Sequence, residues 1–139
     1  MERIGHLNLL PALFGTLMAP PAVEREFGRA IAWLLIQTPN DSGLLRDLSM
    51  NLDDGESEAI ALAVERKAPI ILDDKQARTA ARRLGLQVTG TLRILLEAKN
   101  ARLIDAVTHL LDALDRSGFY LSTDLKNQVL SLANESSPP

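Results

Sequence analysis

One stretch, Leu52 to Leu92, restricts the fold of this chain more than any other. It opens on Asp53-Asp54-Gly55-Glu56-Ser57-Glu58, continues through an apolar segment to about Lys67, and reaches Pro69-Ile70-Ile71-Leu72. Asp73-Asp74 follows, then a basic segment to Leu84, then Gly85 and Gln87-Val88-Thr89. A short β-branched apolar run bounded by charge reads as a buried parallel strand. Asp53 or Asp54 can cap a helix beginning near Gly55, and Glu56 and Glu58 fall in a first turn that favours negative charge. Further on, Lys75, Arg78 and Arg82 share one helical face while Ala77, Ala80, Ala81 and Leu84 share another. Strand and helix alternating in this rhythm imply an α/β fold, a parallel sheet with helices on both faces. Ligands of such folds sit beyond the carboxyl ends of the strands, where Asp73 and Asp74 stand.

The flanking segments fit that architecture. Leu7 to Phe14 predicts a short helix stopped by Gly15. Thr16 to Ala19 predicts a strand, Pro21 opens a helix holding Val23, Glu24, Glu26 and Phe27, and a second strand is expected near Trp33 to Gln37. Thr38 to Gly43 is a loop by its breakers, and Leu44 to Leu48 a helical turn or two. Thr91 can cap a helix through Lys99; another runs from about Asp105 to Ser117 and stops at Gly118; Ser122 caps a last one carrying Leu125, Val129 and Leu132. A single domain over residues 1–134 is expected, with residues 135–139 as a disordered tail.

Composition removes several classes of function. There is no cysteine and there are two histidines, so thiolate and His-rich metal sites are excluded and any metal would be held by oxygen. His6 and His109 have no partner at metal-binding spacing. Aromatic residues make up 4% of the chain, which leaves little for base stacking, and Trp33 in its apolar run reads as core. Without a secretory leader or an apolar run of roughly 18 to 20 residues, a cytoplasmic protein with no membrane association is expected. The net charge of −3 hides an asymmetry: residues 66–102 carry nine basic and three acidic side chains, +6, against −9 elsewhere. Such segregation can present a cationic surface to a nucleic-acid backbone, although each arginine alone is equally well a solvated helix residue.

The carboxylates have two readings. Taken singly, Asp73 and Asp74 cap the next helix and Glu56 and Glu58 complement a helix N-terminus, and composition favours these roles. Taken together, Glu58 with Asp73 and Asp74 can converge, and clustered carboxylates without histidine or cysteine suggest Mg²⁺ or Mn²⁺ acting on a phosphodiester. An apolar strand ending in Asp73-Asp74 also suggests a phosphoacceptor receiver domain, but in receivers the acidic pair opens the chain, and no later aspartate and lysine follow in the expected order.

At this point the residues resemble a known family. Gly55-Glu56-Ser57-Glu58-Ala59-Ile60-Ala61-Leu62-Ala63, Ile71-Leu72-Asp73-Asp74-Lys75-Gln76-Ala77-Arg78 and Val88-Thr89-Gly90-Thr91-Leu92 are similar to PIN-domain-like proteins, predicted nucleic-acid-binding proteins related to the toxin ribonucleases of toxin-antitoxin pairs. Pro20 to Phe27 and Gly118 to Ser122 extend the likeness over nearly the whole chain.

The resemblance implies a three-layer α/β/α sandwich whose carboxylates bind Mg²⁺ or Mn²⁺ to cleave RNA. Carried over by position, Glu26, Glu58 and Asp73 or Asp74 are the metal-binding acids; Glu58, Asp73 and Asp74 are the candidate catalytic residues, and Lys75, Arg78 and Arg82 the candidate RNA contacts. RNA is the implied substrate and an antitoxin protein the implied partner. Members of the family open with a strand ending in an aspartate, the first metal ligand. Here Arg3 to Leu10 matches the helix after it, so that strand and its aspartate are expected to be missing. The metal would then bind weakly or not at all, leaving two expectations: a Mg²⁺- or Mn²⁺-dependent ribonuclease of toxin type whose activity the loss of that aspartate would weaken or abolish, or a non-catalytic remnant that binds nucleic acid or a protein partner. An unfilled sheet edge also favours a homodimer.

Overall fold

The computed structural model describes residues 9–15, 17–27, 34–116, 118 and 121–135. The chain divides into two compact units, one from Thr16 to Gly90 and the other made of Met1–Gly15 with Thr91–Pro139.

The Thr16–Gly90 unit contains β1 (Leu17–Ala19), α2 (Pro21–Phe27), β2 (Leu34–Ile36), α3 (Ser42–Ser49), α4 (Asp54–Arg66), β3 (Ile70–Ile71), α5 (Lys75–Arg83) and β4 (Val88–Thr89). β1 pairs in parallel with β2, Met18 opposite Leu35; β3 pairs in parallel with β4, Ile70 opposite Val88. Parallel pairing requires a crossover segment, which α2 and α5 supply. The α/β expectation therefore holds, with strands of two or three residues paired two by two among the described residues. Trp33, the expected start of β2, lies outside the described residues.

Ile60 and Ala63 of α4, Ile70 and Leu72 at β3, and Ala77 and Ala81 of α5 form the core of this unit. The two alanines are fully buried, so α5 lies against its neighbours through small side chains while its charged face stays outward. Asp53 caps α4 and completes a capping box with Glu56: the Glu56 N–H donates to Asp53 Oδ1 at 2.8 Å, and the Asp53 N–H to Glu56 Oε1 at 3.4 Å.

The second unit contains α1 (Leu9–Phe14), α6 (Thr91–Asn100), α7 (Thr108–Arg116) and α8 (Thr123–Leu132), with Leu95, Val107, Leu111, Leu114 and Val129 in its core. The expected helix from Asp105 begins instead at Thr108. Its N-terminal donors are satisfied by a remote side chain: Glu135 accepts the Val107 N–H at 2.9 Å, the Thr108 N–H at 3.2 Å and the Thr108 hydroxyl at 2.7 Å. Lys99 Nζ donates to the same carboxylate at 2.7 Å and also to the Ala133 carbonyl. Burial alone would push this carboxyl up; the Lys99 ammonium and the donors of Val107 and Thr108 outweigh it and hold the group at about 2. Glu135, expected at the start of a disordered tail, is thus an anchored residue, and residues 136–139 lie outside the described ones.

Four helices stop in the same way, with a left-handed residue followed by a reverse hydrogen bond spanning six residues. The residues at the turn are Lys67, Gly85, Arg102 and Asn134, and the closing bonds run from Ala68 to Ala63, Leu86 to Ala81, Leu103 to Ala98 and Glu135 to Leu130. Glycine removes the steric penalty of this conformation at Gly85 alone; Lys67 and Arg102 adopt it with full side chains.

Candidate active site

Two acidic segments of the Thr16–Gly90 unit carry the candidate chemistry: the first turn of α4 and the turn between β3 and α5. Each segment owes its position to helix capping. Asp74 caps α5, its Oδ2 accepting the Ala77 N–H at 2.9 Å, which confirms the capping role read from the sequence. Asp53 does the same for α4, while Ser57 is fully buried and its hydroxyl donates to the Leu52 carbonyl at 3.4 Å.

The two segments sense each other electrostatically. Glu56 is held above the ordinary carboxylate range, first by burial, then by repulsion from Asp53 and from Asp74. Glu58 is largely sheltered, with 15% of its side chain exposed, and faces Arg25 of α2 across 3.6 Å. Arg25 is itself 66% exposed, so the pair stands at the unit's surface with its basic partner in solvent.

Asp73 is exposed and its Oδ1 lies over Gly90, a position that Arg78 Nη1 also approaches. Lys75 and Arg82 are exposed, as a cationic contact face requires, whereas Arg78 is half-buried. Glu26 belongs to α2, but its side chain lies outside the described residues.

Among the described residues, no three carboxylate or histidine side chains are grouped so as to hold a metal ion. Asp74 uses one carboxylate oxygen for the cap of α5 and keeps the other, and Glu58 faces Arg25. Nor is any described helix long and apolar enough to cross a membrane.

Short parallel strands joined by crossover helices define an α/β fold, with acids past the end of β3. A family model described as a PIN domain, designated DUF3368, matches residues 1–135, and the chain belongs to this PIN-domain family. No curated protein and no solved structure matches it.

Proposed function

We propose that this PIN domain is a ribonuclease of the toxin type, dependent on Mg²⁺ or Mn²⁺, with Glu58, Asp73 and Asp74 as its working acids and Glu26 as a further ligand. The observation that supports this reading is that Asp73 and Asp74 stand just past β3, at the carboxyl end of the strand and the start of α5, in a chain of the PIN-domain family. Exposed Lys75 and Arg82 on α5 supply contacts to the RNA backbone. An antitoxin protein is the proposed partner, and a homodimer the proposed assembly. The test is cleavage of a mixed single-stranded RNA with added Mn²⁺ or Mg²⁺: the reading expects cleavage that is abolished by Glu58→Gln or by Asp73→Asn with Asp74→Asn, and equal rates in wild type and variants would refute the assignment.

One observation favours a second reading, a non-catalytic PIN-like remnant that binds nucleic acid. Arg25 already supplies a positive charge at Glu58. On this reading the chain shows no divalent-dependent cleavage, yet binds RNA with a steep salt dependence that flattens when Arg82 is neutralised.

A further inference from the structure

Gly90 is buried, yet its φ is not left-handed, unlike those of Gly15, Gly85 and Gly118. Backbone conformation therefore does not call for glycine here. Two side-chain ends meet over it instead: a Cβ at this position would stand 2.9 Å from Asp73 Oδ1, 3.0 Å from Arg78 Nη1 and 3.3 Å from the Leu72 carbonyl oxygen, and would displace the first two. The two charged atoms flank one point, so at most about 6 Å separates them. Arg78 sits one turn into α5, its N–H bonded to the Asp74 carbonyl at 2.9 Å, and Asp74 anchors the start of that helix. The guanidinium is thus delivered from a fixed helix start toward the residue preceding the cap. Its half-buried state separates it from Lys75 and Arg82, with which it shares a helical face in sequence.

We propose that Arg78 is a positioning residue for Asp73 and not an RNA contact, with Gly90 the notch that admits both side chains. The functional meaning of this pairing rests on the nuclease reading above; the pairing itself does not. The experiment combines Asp73→Asn, Arg78→Gln, Arg78→Lys and Gly90→Ala in the full chain. In urea unfolding, Asp73→Asn is expected to lower the folding equilibrium constant by a factor at least about two smaller in the Arg78→Gln background than in wild type, while Arg82→Gln gives no such coupling. Gly90→Ala should erase the coupling by displacing both side chains. In RNA titrations, Arg78→Gln should leave the slope of log Kd against log salt unchanged, whereas Arg82→Gln reduces it by about 0.7 to 1. In cleavage assays Arg78→Gln should lower kcat without raising KM, with partial rescue by Arg78→Lys. Strict additivity of Asp73→Asn and Arg78→Gln, or a fall in salt slope for Arg78→Gln, would overturn the proposal. A wild-type chain that cleaves no RNA would overturn the nuclease reading, and the unfolding cycle would still decide the pairing.

Discussion

Replacing Glu135 by glutamine isolates the charge of one residue while keeping its shape and one acceptor oxygen. In the folded chain this carboxylate receives Lys99, the Val107 and Thr108 N–H groups and the Thr108 hydroxyl, and 12% of its side chain is exposed. Its pKa falls from 4.5 to about 2, a displacement whose ceiling is about 3 kcal/mol at roughly 1.4 kcal/mol per unit. Lys99 is a quarter exposed, and solvent screening at that open side reduces the expected loss to about 2 kcal/mol. Because the folded pKa lies below the unfolded one, this stabilisation is complete above about pH 5 and disappears as pH falls through about 2. Urea unfolding of wild type and Glu135→Gln at pH 7 and at pH 3 measures both effects. The variant should be less stable by about 2 kcal/mol at pH 7, and the gap should shrink at pH 3. Equal stabilities at pH 7, or a gap that persists unchanged at low pH, would refute the view that Glu135 closes α7 as a charged remote cap.

Other consequences concern the helix ends and the core. Lys67→Gly and Arg102→Gly relieve left-handed backbone carried by full side chains and should each raise stability by about 0.5 to 1 kcal/mol in chemical denaturation. Asp53→Ala removes the cap of α4 and its reciprocal bond to Glu56, and should cost about 1 kcal/mol in the same assay. Leu111→Ala, at a fully buried position of the second unit, should cost about 2 to 5 kcal/mol, read as a lowered midpoint.

Local chemistry explains which features the sequence made legible. Asp53, Asp74 and Ser122 act as caps because a short acceptor side chain before an apolar helical pattern has few other uses, and Gly15, Gly85 and Gly118 mark helix ends because they take positive φ. The strand β3, which ends two residues before Asp73, was readable from its β-branched run between charges. The start of α7 was not readable, since the group that satisfies its donors lies 28 residues from Val107. The ends of α4 and α6 fall where the sequence placed them, near Lys67 and Lys99, although Lys67 and Arg102 close these helices in a conformation their side chains disfavour. At the candidate site, the residue types of Glu58, Asp73 and Asp74 suggested chemistry, but three further facts depend on tertiary placement. Arg25 faces Glu58, Asp74 repels Glu56, and Gly90 serves as space beside Asp73 and Arg78.

The most direct measurement of the central claim is RNA cleavage by the wild-type chain in Mn²⁺ or Mg²⁺, set against chelator and against Glu58→Gln. The account predicts divalent-dependent cleavage that chelation and Glu58→Gln both abolish. Cleavage that survives Glu58→Gln, or RNA binding without any divalent-dependent cleavage, would contradict it.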